Sequence, residues 1–218
     1  METTKIMVGE ANYPAGLNEL RKPPQAIYVR GAFKDERPKV AIVGARAATN
    51  YGNSMAEYFA EVLADTTDII STMSVGIGAA AIRGAAKTSF GRAYAVLGSG
   101  TDICYPKENR DLYDWCVNPD NGAVLSAYED KTPPLRPHFI AREQIIAALA
   151  DVILVVEARE KSGTLVIVDM ALELGKTVMV IPGRITDPMS RGTLNLIKNG
   201  AMIATCPQDV LDALETGN

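Results

Sequence analysis

Several turns of the sequence place glycine next to a basic side chain. These small, basic turns contain Gly44 with Arg46, Lys161 with Ser162 and Gly163, and Gly183 with Arg184. Glycine lets backbone N–H groups approach an oxyanion closely, and a guanidinium or ammonium group adds the charge that backbone amides lack. Glycine also serves ordinary tight turns, so a single turn of this kind decides nothing. The repeated combination predicts a binding site for a phosphate-bearing ligand.

Motifs of common catalytic sites are weak in this sequence. Gly175-Lys176-Thr177 resembles the end of a P-loop, but Met170 stands where the first glycine is required. His138 is the single histidine and lies in a proline-rich segment, so neither a hydrolase triad nor a zinc site is supported. Glu157 and Glu160 resemble an acid–base pair, but we expect acidic residues on turns to face water. The motifs therefore indicate no catalytic centre, no metal site and no cofactor.

Composition limits the class of protein further. The 218 residues carry 22 basic and 26 acidic side chains, which gives a net charge of −4, and 47% of the residues are hydrophobic. These values argue against a disordered chain and against a strongly basic nucleic-acid-binding domain. The apolar runs are too short for a membrane span, and the first ten residues lack a signal-peptide pattern. We therefore expect a cytoplasmic protein that does not bind membranes.

Short runs rich in Val and Ile alternate with longer segments of helical period. The predicted strands cover residues 39–43, 68–71, 93–97, 123–126, 152–157, 177–181 and 201–204. The predicted helices cover residues 51–64, 78–90, 107–117, 140–149, 163–174, 194–198 and 208–214. Residues 152–156 lack the alternation of a sheet with one wet face, so helices should cover both faces. The pattern predicts an α/β fold with a doubly wound, mainly parallel sheet.

The basic turns follow predicted strands, and this position favours a ligand site. In open α/β sheets, ligands bind outside the carboxyl ends of the strands. We expect residues 39–218 to form the main domain and residues 1–38 to form a short N-terminal extension packed on it. Residues 130–137 are rich in proline, which predicts an exposed connection outside helices and strands.

Several motifs occur together in the order typical of one protein family. They lie at residues 40–46, 51–52, 96–100, 139–147, 155–165 and 192–197. With these motifs the sequence resembles the DNA-processing protein A (DprA) family, also called Smf, from about Tyr13 to Leu214. The resemblance implies a Rossmann-like domain that binds single-stranded DNA in a basic pocket and forms a homodimer. It also implies a role in loading a RecA-type recombinase during transformation, without catalysis.

The resemblance also assigns residues to the DNA-binding pocket. It implies contacts to the strand from Arg46, Arg136, Phe139, Arg142 and the turn of Ser162 and Gly163. The phosphate-binding turns add Gly44, Lys161 and Arg184 to this set. Arginine forks fit phosphates, and an aromatic ring can stack on a base without reading its identity. For Phe139, a core position that anchors the helix is an equally good interpretation.

The sequence departs from the family pattern inside the expected pocket. Glu143 and Gln144 stand where the family has Asn and Arg, which lowers the local charge by two. Gly78 acts in the opposite direction, because it replaces a carboxylate beside an anion site. The resemblance also implies a divergent, minimal member that has only the Rossmann-like domain, with no winged-helix extension. We therefore expect weak, salt-sensitive binding of single-stranded DNA.

Two other functions fit the same residues. The first is a nucleotide-ligand sensor on a related Rossmann-like scaffold, as in the lysine-decarboxylase-like phosphoribohydrolases. Hydrolysis is disfavoured because Leu165, Val166 and Ile167 follow Gly163-Thr164, with no glutamate where those enzymes carry their catalytic carboxylate. The second is a structural partner protein that has lost ligand binding. A cleft without contiguous positive charge would favour that second alternative.

Overall fold

The computed structural model describes residues 2–216, which form one mixed nine-stranded sheet covered by helices. The strands are β1 (Thr4–Met7), β2 (Ala26–Gly31), β3 (Lys39–Val43), β4 (Asp68–Thr72), β5 (Ala93–Val96), β6 (Gly122–Ser126), β7 (Val152–Val155), β8 (Thr177–Val180) and β9 (Met202–Ile203). The α-helices are α1 (Asn50–Leu63), α2 (Ile77–Ala85), α3 (Arg110–Cys116), α4 (Arg136–Leu149), α5 (Thr164–Glu173), α6 (Arg191–Lys198) and α7 (Pro207–Thr216).

Strand order confirms the predicted doubly wound topology. The order across the sheet is β1-β2-β6-β5-β4-β3-β7-β8-β9. Strands β3 to β9 run parallel, whereas β1 and β2 are antiparallel additions beside β6. The chain moves outward from β3 to β6 and then returns to the other side of β3 at β7. This reversal opens a crevice at the carboxyl ends of β3 and β7, where the sequence analysis expects the ligand.

Two apolar layers, one on each face of the sheet, explain the continuous apolar strands. Val40 and Ile42 face the layer that includes α1, α2 and α7, whereas Ala41 and Val43 face the layer that includes α4 and α5. All four side chains are almost fully buried. Burial on both faces stabilises the fold and leaves the carboxyl ends of the strands as rigid supports for the loops that follow.

The first 38 residues contribute to the sheet itself. Strands β1 and β2, which the sequence analysis does not predict, pair with each other, and β2 pairs with β6. Leu17, in the 3₁₀ turn Ala15–Glu19, is fully buried on the face that carries α4. The segment therefore packs on the face that carries α4 and widens the sheet by two antiparallel strands.

Helix α4 begins earlier than the sequence predicts. It starts at Arg136 rather than at residue 140, so the end of the expected exposed connection at residues 130–137 is wrong. Pro137 occupies the first turn of the helix, where its missing N–H would have no partner within the helix. The proline therefore helps to start the helix. Among residues 2–216, no helix has the length and apolarity that a membrane crossing requires.

Candidate nucleic-acid interface

A cleft of about 420 Å³ lies at the carboxyl ends of β3 and β7, and we call it the central cleft. It is lined by the loop after β3, the turn before α5 and one side of α4. Six of the predicted site residues line it: Gly44, Arg46, Arg142, Lys161, Ser162 and Gly163. The structure therefore brings together two basic turns that are more than 100 positions apart in the sequence.

Close backbone contacts hold the loop that carries Arg46. The N–H of Ala45 donates to the carbonyl of Glu157 over 2.9 Å, and the N–H of Ile77 donates to the carbonyl of Ala45 over 3.2 Å. Gly76 packs against the same loop with a φ of +78°, and a β-carbon there would lie 2.4 Å from the carbonyl oxygens of Ala45 and Arg46. Only glycine combines this backbone conformation with this approach. The loop is therefore fixed from two sides.

Glu157 is a buried structural group, contrary to the expectation that it faces water. Only 3% of the residue is exposed, and its carboxylate accepts from the N–H and the hydroxyl of Thr49 over 2.9 and 2.5 Å. Thr49 also caps α1, because its hydroxyl accepts from the N–H of Gly52 over 3.1 Å. The carboxylate thus lies beneath the N-terminus of α1, where the helix dipole favours negative charge. It anchors the end of the Arg46 loop.

Three exposed basic residues of the central cleft are not neutralised by the protein. Arg46, Arg159 and Lys161, which we call the cleft cations, line the cleft and form no ion pair with a carboxylate of residues 2–216. Beside them, Ser162 accepts from the N–H of Thr164 at the start of α5. Exposed cations beside a helix N-terminus form a favourable environment for an anion.

The fourth basic residue, Arg142, is buried and paired. Its guanidinium donates to Oε1 of Glu143 over 2.5 Å, and the two side chains are only 6% and 12% exposed. Burial raises the pKa of the Glu143 carboxyl, and the charges of Arg142 and Arg46 oppose this rise. Oε2 of Glu143 and Nε of Arg142 are buried without a hydrogen-bond partner. The pair therefore retains unused hydrogen-bonding capacity on the wall of the cleft.

An aromatic slot of about 100 Å³ adjoins the central cleft. Tyr105 and Phe139 line it with ring centroids 6.4 Å apart, and Arg46, Ser74 and Arg142 line both the slot and the cleft. The guanidinium carbons of Arg46 and Arg142 lie 5.1 and 5.3 Å from the centroid of the Phe139 ring. Phe139 is partly exposed. Its flat, apolar ring therefore lies beside the basic cleft.

The other two predicted site residues lie outside the central cleft. Arg184 lines a separate cleft of about 480 Å³ with Tyr51 and the N-terminal end of α1. Arg136 is exposed in the first turn of α4. It lines neither the central cleft, nor the slot, nor the Arg184 cleft. Arg159 also lines the central cleft, although it is not among the residues predicted from the sequence. Its signal is a basic residue two positions before Lys161 and four positions after the last residue of β7.

Comparison with known proteins agrees with this geometry. The profile of the family described as DNA recombination-mediator protein A matches residues 4–215. The chain belongs to this family. The DNA processing protein DprA of Streptococcus pneumoniae is 38% identical over 204 residues, which is 93% of this chain and 71% of that protein. The resemblance stated from the motifs is thereby confirmed.

Two solved structures of DprA have the same fold. The X-ray structure of DprA from S. pneumoniae has a TM-score of 0.89 and 36% identity, covering 97% of this chain and 74% of the other. DprA from Helicobacter pylori, whose structure is described for its unique single-stranded DNA binding mode, has a TM-score of 0.87 and 27% identity. That match covers 98% of this chain and 96% of the other. These structures confirm the predicted α/β class.

Proposed function

We propose that this chain binds single-stranded DNA through the central cleft and takes part in DNA processing or recombination, without catalysing a reaction. The observation that carries this proposal is the set of cleft cations beside the aromatic slot. Unpaired cations supply contacts to phosphates, whereas a partly exposed ring supplies a stacking surface for a base. Membership of the DNA recombination-mediator protein A family supports the same conclusion.

The groups near the cleft suit binding rather than catalysis. The single histidine, His138, stacks on the ring of Tyr128 with centroids 3.8 Å apart. Glu157, the carboxylate beneath the cleft, is fully engaged with Thr49. No group of three or more metal-binding side chains occurs within residues 2–216. We therefore propose a non-enzymatic role, and a cytoplasmic location is part of the same proposal.

Fluorescence anisotropy of a labelled oligo-dT strand, measured against salt concentration, tests this function. Arg46→Ala should weaken binding about tenfold and reduce the slope of log K against log salt by about 0.7, because one phosphate contact is lost. Arg21→Ala is the matched control, since Arg21 is exposed and lies outside the central cleft. Absence of salt-sensitive binding by the wild-type protein, or equal losses in both variants, would contradict the proposal.

A nucleotide-ligand sensor is the second candidate, and the narrow aromatic slot is the feature that favours it. The slot is small and opens beside the cleft cations, so a mononucleotide would place its base in the slot and its phosphate in the cleft. Thermal unfolding with mononucleotides and with oligo-dT separates the two functions. Stabilisation by a mononucleotide alone would favour the sensor, whereas stabilisation that needs an oligonucleotide favours the DNA-binding function.

We further propose a homodimer that cooperates with a RecA-type recombinase. Strand β9 forms one edge of the sheet, and Met202 and Ile203 are about half exposed there. An exposed apolar edge strand favours association with another chain. Light scattering should give the mass of a dimer for the wild type and of a monomer for Ile203→Lys. A wild-type monomer at all protein concentrations would contradict the dimer, and failure to retain a purified recombinase would contradict the partnership.

A further inference from the structure

The Arg142–Glu143 pair contains an acceptor that the free protein leaves unused. Oε1 of Glu143 accepts from Arg142, but Oε2 is buried without a partner. A buried carboxylate oxygen without a donor is unfavourable, so a ligand that provides one gains free energy on binding. Glu143 lines the central cleft, and the terminal torsion of a glutamate side chain is soft, so rotation about it turns a carboxylate oxygen towards a ligand at low cost.

The position of Glu143 places this acceptor near a stacked base. Phe139 and Glu143 are four residues apart on α4, so they lie on the same face of the helix about one turn apart. Glu143 lines the central cleft, whereas Phe139 lines the adjoining aromatic slot. In the proposed binding mode, a base stacked on Phe139 has the Glu143 carboxylate as the acceptor about one helical turn away. The phosphates of the strand contact the cleft cations in the same binding mode.

The chemistry of the acceptor determines which base it favours. A carboxylate accepts from the exocyclic amino group of cytosine and has no donor to offer a carbonyl. Uracil and thymine present a carbonyl oxygen at that same ring position, and the carboxylate repels it when it meets the exocyclic group from the C5 side of the ring, away from the N3–H of these two bases. A neutral amide would accommodate both groups, because it carries a donor and an acceptor. Glu143 thus differs from an amide in discriminating between amino and carbonyl groups.

We infer that Glu143 makes this protein selective among single-stranded DNA bases, favouring those with an exocyclic amino group over thymine and uracil. This inference rests on the proposed function, because the base reaches Glu143 only when the strand occupies the central cleft. It assigns to Glu143 the reading of one base edge, while Arg142 holds its carboxylate in place. The cleft cations bind the backbone and are indifferent to sequence.

Oligo-dC and oligo-dU of equal length provide the sharpest test. The two strands have the same backbone and ring size, and they differ at the amino or carbonyl group and the adjacent ring nitrogen. Near neutral pH, the wild-type protein should bind oligo-dC about five- to tenfold more tightly than oligo-dU. Glu143→Gln and Glu143→Met should each bring this ratio close to one. Two variants are used because Gln preserves the shape of the side chain, whereas Met removes the acceptor entirely.

Glu160→Gln is the matched control for charge. Glu160 is exposed and lies beside Lys161 in the sequence, but it does not line the central cleft. Its loss should tighten the binding of both strands by the same small factor and leave their ratio unchanged. A wild-type ratio within twofold of one, or a ratio that persists in Glu143→Met, overturns the inference. Equal, salt-sensitive binding of both strands refutes only the base selectivity, whereas absence of binding to either strand refutes the proposed function as well.

Discussion

At the amino ends of the parallel strands, buried basic residues have carboxylate partners, whereas at the carboxyl ends the cleft cations have none among residues 2–216. Arg92 lies 2.8 Å from the fully buried Asp68, and Lys39 lies 2.6 Å from Asp35. The hydroxyl of Tyr94 also approaches Asp68, over 3.3 Å. Charge at the amino ends is therefore matched within the fold, and it contributes to stability rather than to binding.

The carboxyl ends follow the opposite rule. The cleft cations are exposed, and the loop that carries Arg46 is held by backbone contacts rather than by ion pairs. Arg142 is the exception, because Glu143 neutralises it inside the cleft. One sheet therefore carries charges paired within the fold at the amino ends of its strands and exposed cations at the carboxyl ends. Loss of a paired charge at the amino ends should change stability, whereas loss of one of the cleft cations should change affinity.

Asp68→Ala should have the largest effect on stability. It leaves the buried guanidinium of Arg92 without its main partner, and the free energy of unfolding should fall by about 3–5 kcal/mol. Denaturant unfolding followed by Trp115 fluorescence measures the loss. The affinity of the folded protein for oligo-dT should stay unchanged. Asp114→Ala is the control, because Asp114 and its partner Arg110 are both exposed and this ion pair should contribute less than about 1 kcal/mol. Equal losses in the two variants would contradict the contrast.

Gly76→Ala should lower both the stability of the fold and the affinity for oligo-dT. An alanine at this position would be strained by the positive φ, and its β-carbon would collide with the Arg46 loop. The free energy of unfolding should fall by about 2 kcal/mol. The collision should also displace Arg46 and weaken binding to oligo-dT. Gly175→Ala separates the two causes. Gly175 has a φ of +70° with open space around it, so this variant should lose about 1 kcal/mol from strain alone. An unchanged affinity in Gly76→Ala would show that the loop tolerates the displacement.

Thr49→Ala should have a smaller effect, of about 1 kcal/mol in the free energy of unfolding. The variant removes the hydroxyl that caps α1 and donates to Glu157. Thr49→Ser retains the hydroxyl and should preserve most of the stability. Chemical denaturation of the three proteins side by side checks the order. A Ser variant as unstable as the Ala variant would show that the methyl group, rather than the hydroxyl, is what matters.

The smallest predicted effect is a dependence of affinity on pH. Burial raises the pKa of Glu143, so this carboxyl gains a proton before ordinary carboxyls as the pH falls. Arg142 and Arg46, which face it, stay charged, so the cleft becomes more positive and oligo-dT should bind about threefold more tightly. Anisotropy titrations between neutral pH and the pKa range of ordinary carboxyls measure this rise. Glu143→Gln should remove most of it, and a rise that persists in this variant would assign it to another group.

The parallel part of the fold was predictable because the signal is local. Runs such as residues 152–156 are apolar at every position, and only a strand buried on both faces requires that pattern. Strand β1 was not predictable in this way, because three of its four residues are exposed and the run is short. The start of α4 is not evident from the sequence, because proline usually ends a helix, whereas Pro137 lies in the first turn, where proline is well tolerated.

The candidate site was predictable only where a turn carries its own signal. Gly44, Arg46 and Lys161 are recognisable from small and basic residues after apolar strands. The roles of Glu157 and Glu143 depend on partners and burial that the sequence does not display. Thr49, which holds Glu157, lies 108 positions away. An unused carboxylate oxygen is likewise a property of packing.

That long separation has a consequence for synthesis of the chain. The Arg46 loop is made early, but Glu157, which supports it through the carbonyl to Ala45 and the carboxylate to Thr49, is translated more than 100 residues later. A nascent chain that ends before β7 has the strands up to β6 but lacks both Glu157, which supports the Arg46 loop, and the Lys161 turn. The ribosome-bound protein therefore completes the central cleft only late in translation, and a chain released before β7 lacks this cleft.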